Sequence, residues 1–161
     1  MNNSLTIRPA RPDEAGLVHK FILGIAKYEK LSHDVEATVE DIQEALFGEH
    51  PGAEVIFAFL ENVPAGFALF FHNFSTFVGR KGLYLEDLFV KPEFRGKGVG
   101  KSLLLALVKL AKERKCGRMD WVALGWNKTA IDFYESLGAR EMKEWVFFRL
   151  DEQGIEKLAE Q

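Results

Sequence analysis

Hydrophobic positions follow two different spacings along this chain, and their alternation predicts a mixed α/β fold. Apolar residues three to four positions apart predict a helix over 13–31, and Thr38 with Asp41 forms a capping box that starts a second helix ending at Gly48. Apolar runs and period-two alternation predict strands over 5–8, 54–61, 66–74, 82–90, 118–126 and 145–150.

The second half of the chain adds three more helices to this pattern. One follows the glycine-rich segment 94–102, one covers 129–137 between the N-cap Asn127 and the terminating glycine Gly138, and a polar one ends the chain. The order contains no internal repeat, linker or low-complexity segment. We therefore expect a single domain over residues 1–161.

The glycine-rich segment indicates a phosphate-binding site. Gly96, Gly98 and Gly100 remove the Cβ atoms that keep a ligand away from the backbone, and the following leucine-rich helix points its N-terminal N–H groups toward the same place. Arg95 and Lys101 add positive charge. A glycine-rich turn that merely starts a helix is the alternative interpretation of so short a motif.

Spacing separates three phosphate motifs that compete for this segment. The Walker A motif needs a glycine where Arg95 stands, and a dinucleotide fingerprint that starts at Gly96 meets Lys101 in place of its last glycine. Started at Gly98, the same fingerprint meets Leu103. The pattern that remains is Arg-x-x-Gly-x-Gly.

The strand before this segment carries two adjacent acids in an otherwise apolar run, Glu86 and Asp87. Side chains alternate across a regular strand, which predicts that the two face opposite sides. Burial would raise the pKa of Glu86 and suit it to proton transfer. For Asp87 a structural role, as a partner of backbone donors or of a base, is equally compatible with the sequence.

With these segments in this order, the chain resembles the GNAT superfamily of N-acetyltransferases and, within it, the diamine and thialysine N-acetyltransferases. The similarity covers nearly all 161 residues. Its motifs lie at 26–29, at 47–51, at 83–87, at Phe94 to Gly96, and at 126–127 with 133–134. The resemblance implies a twisted, mixed but mostly antiparallel central sheet flanked by helices.

This resemblance implies transfer of an acetyl group from acetyl-coenzyme A, as cosubstrate, to a primary amine by direct attack. The strands bearing Leu88 and Trp121 would splay apart to admit the pantetheine arm. Residues implied to bind the cosubstrate are Leu88, Phe89, Val90, Arg95, Gly96, Lys97, Gly98, Val99, Gly100, Lys101, Asn127, Ala130 and Tyr134. Residues implied at the acceptor amine are Tyr28, Glu29, Glu86 and Trp121.

The chemistry asks for a base and an acid, because a protonated amine cannot attack a thioester and the thiolate must leave protonated. Glu86 is the candidate base, acting directly or through water. Tyr134 stands at the family's acid position, although a tyrosine at helical spacing is also a common packing residue. The Leu88 N–H is the candidate oxyanion donor.

Composition sets limits on the partners. A net charge of −3 with interspersed signs gives no nucleic-acid-binding stripe, and neither the terminus Met1–Ser4 nor any later stretch predicts a leader or a membrane span. One cysteine, Cys116, fits a reducing cytoplasm. Four scattered histidines lack metal-ligand spacing, so we expect no metal. The histidines are His19, His33, His50 and His72. The resemblance further implies a homodimer.

The acceptor itself stays open between a small aliphatic amine, a thialysine-like amino acid and a di- or polyamine. The polyamine-specific members carry an acid where this chain has Ser75, which favours the amino acid; Lys20 or Lys143 would then serve its carboxylate. A non-catalytic acetyl-coenzyme A-binding module or sensor is the alternative function. It would keep the loop and lack the chemistry that Glu86 and Tyr134 supply.

Overall fold

The computed structural model describes residues 4–161 and divides the chain into two compact units, one reaching to Val122 and the other comprising Ala123–Gln161. Met1, Asn2 and Asn3 lie outside the described residues. The expectation that the chain carries no leader rests in part on these three residues. No helix in the described part of the chain combines the length and the apolar character needed to cross a membrane.

The first unit contains five strands and three helices in an order close to the prediction. The strands are β1 (Leu5–Pro9), β2 (Glu54–Leu60), β3 (Val63–Ser75), β4 (Arg80–Val90) and β5 (Met119–Asp120). The helices are α1 (Ala15–Glu29), α2 (Val39–Phe47) and α3 (Val99–Glu113). Single 3-10 turns lie at Pro12–Glu14, Ser32–Asp34 and Pro92–Phe94.

The strands form one sheet in the order β1-β2-β3-β4-β5, antiparallel throughout except for the parallel pair β4 and β5. The mixed, mostly antiparallel sheet flanked by helices is thus confirmed. The β2–β3 hairpin turns at Glu61 and Asn62, which both have positive φ, as a two-residue type I′ connection requires. The capping box of α2 is also confirmed, since Thr38 and Asp41 bond each other's backbone N–H groups.

The aromatic core lies between the sheet and helices α1 and α2. Phe21 of α1 stacks on Phe67 of β3 with ring centroids 5.1 Å apart and meets Phe89 of β4 edge-on at 6.4 Å. Phe57 lies in the same cluster, together with Ile42 of α2. On the opposite face α3 packs, with Leu103 in reach of the Cβ position of Gly66 in β3. Phe89 therefore marks the α1 side of β4.

A β-bulge at Glu86 shifts the alternation of β4 by one residue. Leu69 of β3 is opposite Asp87, whereas the next residue, Phe70, is opposite Leu85, so Glu86 has no counterpart. Odd-numbered residues after the bulge therefore take the face that even-numbered residues held before it. Before the bulge, Tyr84 lies on the α1 side, where its ring contacts Phe71 at 4.9 Å. After it, Asp87 and Phe89 lie on that side.

A partly buried ion pair fixes the entry into α1. The Arg8 guanidinium donates to both carboxylate oxygens of Glu14, at 2.7 and 2.8 Å, and Glu14 also accepts from the Arg11 N–H at 2.8 Å. These donors lower the pKa of Glu14 to about 2, with the Arg8 hydrogen bond as the main cause. The fixed carboxylate joins β1 to the helix whose far end carries Tyr28 and Glu29.

Two predicted strands are wrong in extent or existence. The strand expected over 118–126 is limited to β5, whose pairing with β4 ends at Tyr84, two residues before the bulge bends that strand. The stretch 145–150 forms no strand, because no other described segment pairs with it, and an alternating pattern alone does not make a ladder.

The second unit contains two helices, both of them predicted. Helix α4 (Lys128–Ser136) begins at the N-cap Asn127, whose Oδ1 accepts from the Ala130 N–H at 3.3 Å, and ends before Gly138 with φ of 90°. Helix α5 (Glu152–Ala159) begins at the N-cap Asp151.

Candidate active site

The glycine-rich loop forms a cradle at the N-terminus of α3. Gly96 and Gly98 have φ of 73° and 78°, a backbone conformation that favours glycine, and a Cβ atom added to either would meet open space. The first intrahelical bond runs from the Ser102 N–H to the Gly98 carbonyl. The N–H groups of the residues between them therefore have no partner within the helix and suit an anion.

Arg95 reaches toward α1 rather than over the cradle. Its Nε donates to the Val90 carbonyl at 3.0 Å, and its guanidinium lies 4.7 Å from the centre of the Tyr28 ring and 5.6 Å from that of Phe89. Lys97 instead lies over the Phe94 ring at 5.4 Å, and Lys101 is exposed. Arg95 thus links the start of the loop to the predicted acceptor residue Tyr28.

The edge of β4 next to the cradle has polar backbone groups directed away from the sheet. The Lys91 N–H donates to the Ala65 carbonyl at 2.9 Å, which places residue 91 in a hydrogen-bonded position facing β3. Because such positions alternate in an antiparallel ladder, Leu88 and Val90 direct their backbone groups to the opposite edge. β5 accompanies that edge only as far as Tyr84. The Leu88 N–H therefore faces this edge beyond the end of the β5 pairing.

The two adjacent acids of β4 differ from the prediction in their burial. Glu86, expected to be the buried carboxylate, is exposed at the bulge, while Asp87 is half-buried on the α1 side. Burial, reinforced by the charges of Glu86 and Glu29, raises the pKa of Asp87 to about 6. Burial also raises the pKa of Glu29. The prediction assumed that side chains alternate strictly along β4, and the bulge at Glu86 interrupts that alternation.

Three carboxylates, those of Glu86, Asp87 and Glu29, therefore lie near one another at the bulge. Within residues 4–161, no hydrogen bond or ion pair engages the Asp87 carboxylate, and Glu29 lies near enough to affect its titration. A partly buried carboxylate without a positive partner is unfavourable unless a ligand supplies the charge. The arrangement suits a bound ammonium group.

Replacing Asp87 by asparagine is expected to stabilise the protein at pH 8 and not at pH 4. Because the pKa of Asp87 is raised in the folded state, the wild type loses stability as the pH rises from about 4 to about 6, and the variant escapes that loss. A rise of the Asp87 pKa from its ordinary value to about 6 lowers the free energy of unfolding at pH 8 by about 1–3 kcal/mol, after allowance for partial exposure. Urea unfolding at the two pH values measures it, with exposed Glu113→Gln as control. An equal difference at both pH values would contradict it.

A cavity of about 560 Å³ lies beside these acids, between α1 and the end of β4. One face of α1 contributes residues at helical spacing, and the segment after β4 closes the other side. Its lining residues are Leu17, Lys20, Phe21, Gly24, Lys27, Tyr28, Phe89, Lys91, Pro92 and Arg95. Four of these, Lys20, Tyr28, Phe89 and Arg95, were named as candidate site residues from the sequence.

The remaining predicted site residues are divided between the two units. Trp121 follows β5 in the first unit and is half-buried. Asn127, Ala130 and Tyr134 belong to α4 of the second unit, where Tyr134 contacts the Phe133 ring at 5.4 Å.

Ser75 does not occupy a substrate-facing position. It is 3% exposed at the end of β3, and its Oγ accepts from the Val78 N–H and from Arg118 at 3.3 and 3.2 Å. An acid at this position would pair with Arg118. The identity of residue 75 therefore gives no argument for or against a polyamine.

Sequence reasoning missed the cationic lining at Lys27 and Lys91, and it did not assign Asp87 a site. A periodicity signal for Lys27 was available, since it lies seven residues after Lys20 on the same helical face. In the part of the chain that the structure describes, no group of three or more His, Cys, Asp or Glu side chains is placed to hold a metal ion.

Comparisons with known proteins place this geometry in context. The sequence model of the acetyltransferase (GNAT) family matches residues 23–139. Thialysine N-epsilon-acetyltransferase of Sus scrofa is 34% identical over 167 aligned residues, covering 97% of this chain and 98% of the relative. L-ornithine N5-acetyltransferase of Arabidopsis thaliana is 32% identical, with 94% and 88% covered. A solved integron cassette protein from V. cholerae has a TM-score of 0.82 at 32% identity, covering 98% of this chain and 99% of that one.

Proposed function

We propose that this chain, which belongs to the GNAT family of acetyltransferases and is an N-acetyltransferase, acetylates the primary amine of a small aliphatic acceptor with acetyl-coenzyme A. The acceptor class includes thialysine-like amino acids and di- or polyamines. One observation carries the proposal: the two β4 carboxylates Glu86 and Asp87, the edge of β4 at Leu88 and the cradle of α3 are consecutive along one segment. The names of the two relatives, which specify amines of amino acids, support it.

The residues of the first unit fit the proposed cosubstrate. Acetyl-coenzyme A supplies an activated acetyl thioester. The open space above Gly96 and Gly98 suits its pyrophosphate, which the N–H groups from Gly96 to Lys101 would hold. The edge at Leu88 and Val90 provides the Leu88 N–H and C=O and the Val90 N–H for an extended amide-containing arm, as an added strand would use them, while the Val90 carbonyl accepts from Arg95. Asn127 and Ala130 of α4 are proposed as further contacts.

We assign the proton transfers to Glu86 and Tyr134. Asp87 and Glu29 hold the acceptor as an ammonium, and Glu86, exposed at the bulge, takes its proton directly or through water. The neutral amine then attacks the thioester carbonyl, while the Leu88 N–H stabilises the negative charge that develops on its oxygen. The Tyr134 hydroxyl gives its proton to the departing thiolate, which leaves as a thiol, and the excess proton of the attacking nitrogen restores the tyrosine through water as the amide forms.

Release of free coenzyme A on incubation with acetyl-coenzyme A and a panel of amines tests the function. We expect release, with a matching acetylated amine by mass spectrometry, for at least one of L-lysine, L-ornithine, thialysine, a diamine or spermidine. Binding of acetyl-coenzyme A without release for every amine would favour the alternative of a non-catalytic binding module or sensor.

Replacing Gly98 by valine is expected to weaken coenzyme A binding by roughly tenfold or more, because the side chain strains a positive φ and fills the cradle. Isothermal calorimetry of the folded variant measures it. Gly79→Val is the matched control: Gly79 has a φ of 67° and equally open surroundings but lies in the β3–β4 turn. Equal affinity in the Gly98 and Gly79 variants would remove the loop from the binding site.

A further inference from the structure

The cavity beside α1 has a charge opposite to that of the proposed ammonium site. Four cations line it, Lys20, Lys27, Lys91 and Arg95, and none of its lining residues is an acid. A polyamine carries only positive charges and gains nothing from such a lining. The cavity is thus built for an anionic group.

The apolar part of the lining keeps this positive charge concentrated. The Lys91 Nζ lies over the Phe21 ring at 5.2 Å, and the Arg95 guanidinium lies over Tyr28. Gly24, between Lys20 and Lys27 on α1, lets the Phe89 ring pack directly on the helix, since a Cβ atom there would come within 2.9 Å of that ring. The pocket has a hydrophobic floor with cations at its rim.

The carboxylates of Asp87 and Glu29 lie next to the cavity that the four cations line. Phe89 lines the cavity, and Asp87 precedes it by two residues on the same face of β4, a separation of about 7 Å along a strand. On the helix, Tyr28 lines the cavity and Glu29 follows it directly. The α1 side of β4 therefore carries positive charge at one end and negative charge at the other.

We propose that the cavity binds the α-carboxylate of an amino-acid acceptor whose distal ammonium group lies at Asp87 and Glu29. The inference rests on the proposed function and narrows its acceptor class to amino acids with an amine on the side chain. Lys20 and Lys91 are the specificity-determining residues, because they recognise a group that takes no part in the reaction.

The length of such an acceptor is close to the roughly 7 Å along β4 that separates Asp87 from Phe89, a lining residue of the cavity. Lysine has six bonds between its carboxyl carbon and its terminal nitrogen, and six extended bonds span about 7 Å at the reach of an extended peptide. Its methylene groups would lie against the Phe89 and Phe21 rings. Ornithine is one methylene shorter and a diamine of equal length lacks the anionic end.

Matched pairs of acceptors that differ only in the carboxylate test the inference. L-lysine is compared with cadaverine, and L-ornithine with putrescine, by kcat/KM in the full chain. We expect the wild type to prefer each amino acid. The double variant Lys20→Met with Lys91→Met is expected to lose roughly tenfold or more of kcat/KM for the amino acids and to keep or improve that for the diamines. Lys109→Met, an exposed lysine of α3, is the control and should change neither.

Other outcomes overturn the inference in distinguishable ways. Equal losses for amino acids and diamines would show that the lysines do not recognise a carboxylate. A raised KM for acetyl-coenzyme A with both acceptors would assign the cavity to a phosphate of the cosubstrate. Turnover of diamines but not of amino acids would refute the inference and leave the proposed function intact, whereas turnover of no amine at all would refute the function itself.

Discussion

Replacing Glu86 by glutamine lowers kcat/KM at pH 7 by about 100- to 10,000-fold if this side chain removes the ammonium proton, the usual range for one general base. The loss should shrink as the pH rises toward that of the amine's own deprotonation, because free amine then forms without the enzyme. Steady-state kinetics between pH 7 and 9.5 measures both effects. Since Glu86 is exposed, the substitution should leave the fold intact.

The neighbouring acid provides the matched comparison for Glu86. Asp87→Asn makes the same chemical change one residue away, and we expect it to raise KM for the amine more than it lowers kcat, because Asp87 holds the ammonium rather than taking its proton. A loss in the Glu86 variant that does not depend on pH would contradict its role as base. A pH-dependent loss confined to the Asp87 variant would transfer that role to Asp87.

Replacing Tyr134 by phenylalanine lowers kcat by roughly ten- to a thousandfold, because water replaces a positioned acid only in part. Coenzyme A affinity should stay nearly unchanged, since the substitution removes one hydroxyl and keeps the ring that contacts Phe133. Stopped-flow detection of free thiol at saturating acceptor measures the turnover, and calorimetry measures the affinity.

A Tyr→Phe substitution at a second tyrosine serves as the control, because it also removes one hydroxyl group but lies outside the proposed proton transfer. Tyr84 lies on β4 before the bulge, against the Phe71 ring, and Tyr84→Phe should keep kcat within a few-fold of the wild type. Turnover in the Tyr134 variant within a factor of two of the parent would exclude this residue from the mechanism. Loss of coenzyme A binding in step with turnover would instead indicate a binding role.

Local signals predicted most of the fold correctly because they act within a few residues. The capping box at Thr38, the Asn127 cap and the glycine loop before α3 each fix a helix end by hydrogen bonds or backbone conformation that the sequence displays directly. The failed segment, 145–150, depends on pairing with a distant strand. Alternation in one segment carries no information about whether a partner is available.

The candidate site was predictable in outline and not in its charge distribution. The Arg-x-x-Gly-x-Gly pattern and the acidic pair of β4 pointed to the segment that carries the cradle and the bulge. A continuous apolar run on both sides of Glu86 conceals the phase of the strand, so the sequence could not reveal that a bulge buries Asp87 and exposes its neighbour. The gathering of Lys20 with Lys91 depends on how α1 packs on β4, a contact between segments about 70 residues apart along the chain.

The extra residue in β4 makes the effect of a deletion depend on where in the strand it falls. Deleting Glu86 would remove a residue that has no counterpart in β3 and would leave Leu85 opposite Phe70 and Asp87 opposite Leu69, so both faces of the strand would be kept. Deleting Leu88 instead would turn Phe89 from the α1 side toward α3, and the aromatic core would lose that ring. Substitutions on the exposed face of α1 change neither the length nor the phase of β4.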